Sequence, residues 1–230
     1  MSSHLKSLRF YIKNLDSLSI LDLGSGRGRF LVEAASSGIN ITGLECYQKY
    51  IEDSYRLAEE RGVKIQVLQG FGEKLPFNDE SFDFVNMAEV IEHVQSPVEV
   101  MSEVRRILKP GGRVYLSVPN RFGLKDQHFG LYLVNWLPRS LADFFISIFG
   151  EHKDYAGQAG HQRLADMHYF TYGGITRLLK YLGFDYKDMR VLKIKQKFKN
   201  PIISKIVLVV YFTLRPWYFD SFHILVYKKS

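Results

Sequence analysis

Short apolar runs alternate with longer amphipathic stretches between residues 19 and 119. The apolar runs are short enough for buried strands, and a glycine closes most of the stretches between them, as it does at helix ends. Strands that alternate with helices pair in parallel through right-handed crossovers, so this part of the chain belongs to the α/β class. We expect strands at 19–24, 40–45, 63–70, 81–88 and 113–119, and helices at 28–38, 47–61 and 97–108.

The composition is that of one globular domain. The chain has 230 residues, of which 46% are hydrophobic and 24% charged. Cys46 is the only cysteine, so no internal disulfide forms, which favours a reducing compartment such as the cytoplasm. The first 19 residues lack the apolar segment of a secretory signal, and no stretch reaches 18 apolar residues. A formal net charge of +7 favours an anionic partner: phosphate, nucleic acid or an anionic membrane.

The pattern changes after Asn120. Residues 121–168 contain many aromatic side chains and no obvious strand. We expect them to form a helical cap inserted in a single domain whose core is 15–120 and 169–230. Long segments between elements are usually lids or binding loops, so the cap is expected to set specificity. Its candidate substrate-binding residues are His128, Trp136, His161 and His168.

The chain after the cap combines charge with apolar length. A helix is expected at 171–184 and a last strand at 221–229. Residues 191–199 alternate strictly, which predicts a strand with one lysine face, formed by Lys193, Lys195, Lys197 and Lys199. Such lysines either keep an edge strand from pairing with other chains or contact an anionic surface. The apolar segment 202–219 indicates core packing, a dimer interface or a shallow membrane anchor.

A glycine-rich turn, Asp22-Leu23-Gly24-Ser25-Gly26-Arg27-Gly28, follows the first predicted strand. Glycine lets a ligand approach the backbone closely, and open α/β folds bind ligands at the carboxyl ends of their strands. Glu45 ends the second strand, where its carboxylate can accept hydrogen bonds from both hydroxyls of a ribose. A dinucleotide fingerprint would need glycine at Arg29, and Asp22 suits a cationic ligand better than a pyrophosphate.

These residues resemble the class I S-adenosylmethionine-dependent methyltransferases. LDLGSGRGRF at 21–30 is similar to their first motif, and Glu45 to the acid that holds the ribose. Similar segments follow in the family's order: EKLPFNDESFDFV at 73–85, EVIEHV at 89–94 and RILKPGGRVYLSVPN at 106–120. The resemblance implies a Rossmann-like, mainly parallel seven-stranded sheet with helices on both faces. It also implies S-adenosylmethionine as cofactor and S-adenosylhomocysteine as product.

The resemblance also indicates where the cofactor binds. Many relatives carry an Asp five residues before the proline of the LPF segment, where it contacts the adenine. Phe71 stands there in this chain, and its ring or a nearby amide is expected to take that role. We expect the cofactor to contact Asp22, Gly24, Ser25, Gly26, Gly28, Glu45, Cys46, Phe71, Gly72, Met87 and Ala88.

The segment Glu89-Val-Ile-Glu92-His93 has several interpretations. It is similar to a segment of the ubiquinone-pathway O-methyltransferases of methyltransferase type 11. It is also similar to the Glu-x-x-Glu-His of small-RNA 2′-O-methyltransferases, whose acids and histidine bind a divalent ion with a second, distant histidine. On a helix the three side chains would share one face, or the acids would only complement the helix dipole. We name His93 and Glu89 as candidate catalytic bases.

No metal is expected, because the distant histidine of the RNA enzymes is followed by Phe-Glu-Trp, whereas His168 is followed by Tyr-Phe-Thr. The predicted activity is methyl transfer to a small-molecule or lipid- or saccharide-linked acceptor, at oxygen. The alternatives are a nucleic-acid methyltransferase, disfavoured because no separate nucleic-acid module is evident, and a non-catalytic cofactor-binding protein. A cytoplasmic location is expected, with an anionic membrane surface as a further partner. The oligomeric state stays open.

Overall fold

The computed structural model of the chain describes residues 2–151 and 163–229. Its elements, in chain order, are α1 (Ser3–Tyr11), β1 (Ile20–Leu23), α2 (Arg29–Ser36), β2 (Ile41–Glu45), α3 (Gln48–Glu60), β3 (Gln66–Gln69), β4 (Phe82–Met87), α4 (Pro97–Ile107), β5 (Leu108–Pro119), α5 (Arg139–Phe149), α6 (Tyr172–Tyr181), β6 (Phe184–Asp188), α7 (Met189–Lys197), α8 (Pro201–Leu214) and β7 (Ser221–Lys228). Short 3-10 turns lie at Leu15–Ser17, Val134–Trp136 and Leu164–Asp166.

The strands of the described residues form one sheet in the order β3-β2-β1-β4-β5-β7-β6. The first five strands in the chain pair in parallel, and β7 runs antiparallel between β5 and β6. The connections leave β1 and β4 in opposite directions, and ligands bind at such a switch point in open α/β sheets. The predicted Rossmann-like, mainly parallel seven-stranded sheet is confirmed.

Helices cover both faces of the sheet. On one face, Val104 of α4 and Leu179 of α6 pack in the main core. On the other face, Leu8 of α1 and Leu31 of α2 join a second core cluster. Because both faces are covered, all four residues of β1 are buried, as is usual for a central parallel strand.

The predicted start of α4 is also found. The Ser96 hydroxyl accepts a hydrogen bond from the Glu99 amide, and Pro97 is the first helical residue. Strand β5 begins at Leu108, earlier than the predicted 113, because the strand follows α4 directly and pairs Leu108 with Phe82.

The cap, in its described parts 121–151 and 163–168, has a small core of its own. Phe129, Ala142, Ile146 and Leu164 are buried together there, beside Met167. A parallel bridge between Asn120 and Phe170 joins the two ends of the insertion. The cap is therefore packed around its own apolar cluster and anchored where β5 ends.

The predicted strand at 191–199 is wrong, because most of this segment lies in helix α7. Strand β6 ends at Asp188, whose carboxylate accepts hydrogen bonds from the Arg190 and Val191 amides and so starts a helix there. Strand β7 is already paired on both sides, by β5 and β6. The interpretation of the lysines as guards of an edge strand falls with the strand.

Helix α8 is predominantly apolar but mostly exposed. Tyr211 is its one buried residue, and the Tyr211 hydroxyl donates a 2.7 Å hydrogen bond to Asp188. Its exposed apolar side chains are Ile202, Ile203, Ile206, Val209, Val210 and Phe212. Within the described ranges, no helix has the length and apolar character needed to cross a membrane.

Candidate functional site

A cleft of about 400 Å³ opens where β1, β2 and β3 end. Glu45 and Phe71 lie along it, with Glu89, His93 and His128 also on its wall. Its other lining residues are Leu23, Gly24, Gly26, Leu44, Cys46, Tyr47, Tyr50, Gly70, Gly72, Glu73, Val90, Val94 and Gln95. The cleft therefore joins the predicted cofactor residues to the Glu89–His93 segment.

The glycine turn leaves room for a ligand. Gly24 and Gly26 have φ angles of +69° and +53°, which side chains rarely adopt. A Cβ on Gly24 would lie 2.6 Å from Val90 Cγ2, whereas a Cβ on Gly26 would meet nothing within 4 Å. The absence of a side chain at Gly26 thus keeps the cleft open beside Glu45. Gly28 instead forms the N-cap of α2.

Glu45 is buried and held by backbone donors. Its Oε2 accepts from the Gly26 amide at 2.8 Å, and its Oε1 accepts from the Cys46 and Tyr47 amides at 2.9 and 3.0 Å. These bonds fix a carboxylate on the cleft wall, where it can receive the hydroxyls of a sugar. Burial and the neighbouring Glu45 charge raise the pKa of the Cys46 thiol to about 12, so Cys46 is no thiolate nucleophile.

A second recess of about 340 Å³ adjoins the cleft at Gly24. Asp22, Ser25 and Ala88 line it with Asn86. The Asn86 amide donates to Asp22 Oδ1 at 2.7 Å, and burial raises the pKa of Asp22 to about 7. A cationic group in this recess would favour the ionised form of Asp22.

Five residues that line this recess were missed from the sequence: Arg27, Arg29 and Phe30 are three of them, and the other two are close enough to hydrogen-bond to each other. These two are Asn86, a polar residue inside an apolar strand, and His4, whose Nε2 lies 2.9 Å from Asn86 Oδ1. The first carried a readable signal, because a buried asparagine in a central strand needs partners. Met87 was expected to contact the cofactor, but its side chain is fully buried in the main core.

Residues 89–93 do not form the helix on which Glu89, Glu92 and His93 would share one face. Glu89 has a φ of +57°, and its amide donates to the Ser117 hydroxyl at 2.9 Å. Residues 91–93 form a turn, and α4 starts only at Pro97. The left-handed residue reverses the chain as it leaves β4, so Glu89, Glu92 and His93 do not share a helical face.

Glu92 lies next to His93 and His128, which with Glu89 bound one end of the cleft; we name it the acceptor end, for the role that the sequence predicts. It is fully buried, and neither carboxylate oxygen has a hydrogen-bond partner among the described residues. Its Oε1 is 3.4 Å from His128 Nε2 and 3.9 Å from His93 Nε2. Burial, with a smaller effect of the Glu89 charge, raises the pKa of Glu92 to about 8.

Two cap residues, Asp126 and His128, and Tyr169 just after the cap form a hydrogen-bonded group beside this cluster. Tyr169 donates its hydroxyl to Asp126 Oδ2 at 2.8 Å, and the same oxygen lies 3.3 Å from His128 Nδ1. Asp126 Oδ1 also accepts from the His128 amide at 2.8 Å. Asp126 and Tyr169 were missed from the sequence, because their partners are distant along the chain.

The other candidate substrate residues lie in different places. His168 donates its backbone amide to the Glu92 carbonyl at 3.0 Å, so it ties the cap to the turn. Trp136 is half-exposed and packs on Phe122, with ring centres 5.7 Å apart. It does not line the cleft. His161 lies outside the described residues.

A family model described as a methyltransferase domain matches residues 21–116. Residues 21–116 carry a class I methyltransferase domain. This domain spans the glycine turn, Glu45 and the turn at Glu89–His93, and S-adenosylmethionine is the cofactor it implies. The resemblance and the cofactor expected from the sequence are confirmed. The open turn at Gly26, the oriented Glu45 and the recess beside Asp22 fit that cofactor's uncharged ribose and the ammonium group of its amino-acid part.

Curated relatives agree with this assignment. The ubiquinone biosynthesis O-methyltransferase of Rickettsia akari (strain Hartford) is 33% identical over 138 residues, which are 58% of this chain and 54% of the relative. The chain spans about half the length of the curated relatives it matches.

Solved structures share the fold of the methyltransferase domain. An S-adenosylmethionine-dependent methyltransferase from Mesorhizobium loti has a TM-score of 0.63 at 17% identity, covering 99% of this chain and 98% of that one. The cyclase SpnF has a TM-score of 0.60 at 16% identity, covering 97% and 80%. At these identities the comparison shows the fold alone, and the reaction must be argued from the site.

Proposed function

We propose that this chain transfers the methyl group of S-adenosylmethionine to a hydroxyl oxygen of a small-molecule or lipid-linked acceptor. The observation that carries the proposal is the continuity of one cleft from Glu45 and Phe71 to Glu89, His93 and His128. Such a cleft can hold a cofactor and an acceptor end to end, and correct alignment of two reactants supplies much of catalysis. The O-methyltransferase activity named for the Rickettsia relatives supports oxygen as the target.

The cofactor would be held by the residues at the other end of the cleft. Glu45 would accept hydrogen bonds from the ribose hydroxyls, and Gly24 and Gly26 would let the cofactor approach the backbone. The exposed Phe71 ring would cover the cofactor's adenine. Asp22, Ser25, Asn86 and Ala88 would bind its amino-acid part. When bound, this cofactor supplies a methyl group that is already activated as a sulfonium.

The acceptor must lose a proton as its oxygen gains the methyl group. The O–H bond breaks and an O–CH₃ bond forms, while the S–CH₃ bond breaks and the sulfonium becomes a neutral thioether. Glu89 and His93 line the acceptor end, so either is placed to take the proton. Glu89 projects from a turn held by Ser117, which fixes its backbone beside the reacting oxygen.

The cap supports an acceptor with an apolar body. Leu131, Tyr132, Leu133, Val134, Leu137, Phe145 and Phe149 line a cap groove of about 450 Å³. Tyr132, Leu133 and Phe149 are more than half exposed. Apolar surface of this kind would bind a hydrocarbon chain or an aromatic ring.

The test is methyl transfer from radiolabelled cofactor to matched acceptors. The panel would pair a phenol bearing an isoprenoid or alkyl chain with its O-methylated form, an amine analogue and a structured RNA. We expect label on the chain-bearing phenol alone. Label on RNA would favour a nucleic-acid methyltransferase. Cofactor binding without label on any acceptor would favour a protein that binds the cofactor but does not methylate. The fold is compatible with this outcome, because a cyclase shares it.

We further propose that α7 and α8 bind an anionic membrane surface. Lysines 193, 195, 197 and 199 are exposed on and just after α7, which packs against α8. The apolar side chains of α8 are exposed beside them. A basic and an apolar surface together fit an interfacial helix on anionic lipid, since each cation adds about 1 kcal/mol of attraction. The Asn120 amide reaches the carbonyls of Arg215 and Phe219, so the end of α8 adjoins the cap.

A flotation assay with phosphatidylglycerol and phosphatidylcholine vesicles tests this surface. We expect salt-sensitive flotation with the anionic vesicles, because screening weakens such attraction. Replacing the four lysines by Gln should abolish flotation. The control replaces four other exposed lysines, Lys6, Lys13, Lys64 and Lys180, and should still float. The membrane proposal would be overturned if the parent protein does not bind the anionic vesicles at low salt. It would also be overturned if sedimentation shows a dimer that is lost when exposed apolar residues of α8 are replaced.

A further inference from the structure

We propose that Glu92, His93 and His128 bind one divalent transition-metal cation of the zinc type at the acceptor end. This inference rests on the proposed function, because the cation would bind the acceptor hydroxyl. The sequence led us to expect no metal, since the His168 segment departs from the RNA enzymes' pattern. The structure provides a different second histidine, His128 of the cap.

The distances fit one ion. One potential ligand atom from each residue lies within 4.8 Å of the other two. Glu92 Oε1 is 3.4 Å from His128 Nε2 and 3.9 Å from His93 Nε2. Ligands at about 2.0–2.2 Å from a tetrahedral zinc ion are separated by roughly 3.3–3.6 Å. The Glu92–His128 pair already has this separation, the Glu92–His93 pair needs a shift of about half an ångström, and the two histidine ligand atoms lie within 4.8 Å of each other.

The burial of Glu92 is the second observation. A fully buried carboxylate normally has donors for its oxygens, and removing such a group from water without them is costly. Both oxygens of Glu92 lack a hydrogen-bond partner among the described residues. The groups facing them are two imidazole nitrogens. A cation bound between the carboxylate and the imidazoles would compensate this burial.

The surroundings of His128 prepare Nε2 as a ligand. The Tyr169 hydroxyl donates its hydrogen bond to Asp126, so towards His128 Nδ1, 3.3 Å away, its oxygen can only accept, which favours the tautomer with a proton on Nδ1. A histidine with its proton on Nδ1 presents the Nε2 lone pair, which here faces Glu92. Outer groups that orient ligand histidines in this way are typical of metal sites.

Two histidines and one carboxylate leave a coordination position open, as in catalytic zinc sites. His93 and His128 both line the cleft, so that position is accessible to the acceptor. A bound cation lowers the pKa of a hydroxyl that it coordinates. With His93 engaged as a ligand, the proton would pass to Glu89, the other candidate base on the wall of the acceptor end.

Metal binding by the untagged full chain tests the inference directly. The protein is stripped with EDTA and titrated with Co²⁺, followed by the visible bands of tetrahedral cobalt, and with Zn²⁺ in competition. We expect one ion per chain. Glu92→Gln and His128→Gln should each weaken binding at least tenfold. His168→Gln is the matched control and should bind as the parent does, because the hydrogen bond from His168 to Glu92 among the described residues comes from its backbone amide.

Binding of S-adenosylhomocysteine, measured on each variant, separates loss of the metal from loss of the fold. No stoichiometric ion, or equal binding by Glu92→Gln and the parent, would overturn the inference and leave a metal-free Glu92–His128 pair. Methyl transfer that persists in EDTA would refute the catalytic role of the ion and keep the proposed function. An ion that binds without methylation of any hydroxyl would refute the proposed function and keep the site.

Discussion

The two ends of the cleft each contain a buried glutamate, but the surroundings of the two carboxylates differ. Glu45 accepts hydrogen bonds from three backbone amides. Glu92 is buried more completely and has no donor among the described residues. A carboxylate saturated by amides is oriented to receive hydroxyl groups, whereas one without donors requires a proton or a cation. The comparison therefore supports the two proposals, in which one end recognises hydroxyl groups and the other compensates a buried charge.

Asp22 is intermediate between these carboxylates, with one donor in Asn86, and it gives the largest expected effect. Its pKa rises from 3.8 to about 7 on folding. The folded protein then binds a proton more tightly than the unfolded chain, so this contribution to stability is complete below pH 4 and is lost as the pH rises through 7. The difference approaches about 4 kcal/mol at pH 8.

Denaturant unfolding at pH 4 to 8 measures this effect as the difference between the parent and Asp22→Asn. The variant should lose the part of the pH slope that belongs to Asp22. Parallel stability curves for the two proteins would show that Asp22 is ionised at neutral pH despite its burial.

Glu45→Ala should weaken S-adenosylhomocysteine binding by about 1.5–3 kcal/mol, the strength of hydrogen bonds to a charged group. Calorimetry measures this loss, which corresponds to about 10- to 150-fold. Glu92→Gln is the control from the other end of the cleft and should stay within twofold of the parent. Binding of NAD with no response to S-adenosylhomocysteine would refute the cofactor assignment.

The same two residues should differ in stability when the protein is kept in EDTA at pH 7. Glu45→Ala leaves three amides without their acceptor and should lower the free energy of unfolding by about 1.5–3 kcal/mol. Glu92→Gln replaces a group that has no donors to lose and should change it by less than about 1 kcal/mol. Equal destabilisation by the two changes would remove the contrast between the ends.

Phe71→Ala should give the smallest effect. The ring is exposed on the cleft wall, and stacking on a base is worth about 1 kcal/mol. We expect a several-fold loss of S-adenosylhomocysteine affinity, with a smaller loss for Phe71→Tyr, which keeps the ring. Unchanged affinity in Phe71→Ala would place the adenine elsewhere.

The local geometry around the glycine turn and Glu45 was predictable from the sequence because its signals are local. The strand, the glycine turn and Glu45 lie within residues 19–45, and Ser96-Pro97 marks the start of α4 without help from other elements. These predictions rest on backbone requirements that a few neighbouring residues satisfy. The same holds for the order of strands and helices that fixed the fold class.

The acceptor end was less predictable because its geometry depends on distant contacts and one unusual torsion. The left-handed Glu89 replaced an expected helix by a turn, and His128 reaches Glu92 from another part of the chain. The strand predicted at 191–199 failed because Val191, Ile194 and Phe198 also have the i, i+3, i+7 spacing of one helical face, and the Asp188 cap favours the helix.

The bridge between Asn120 and Phe170 brings the two ends of the cap insertion together. The insertion is therefore connected to the core strands at one short junction, and this junction does not depend on the length or sequence of the segment between those residues. Lengthening a surface insertion costs little closure entropy. Replacing the whole insertion could thus change the acceptor while Glu45 and the glycine turn stay intact. Because His128 lies within the insertion, a replacement would have to keep this histidine or supply another side chain in its place.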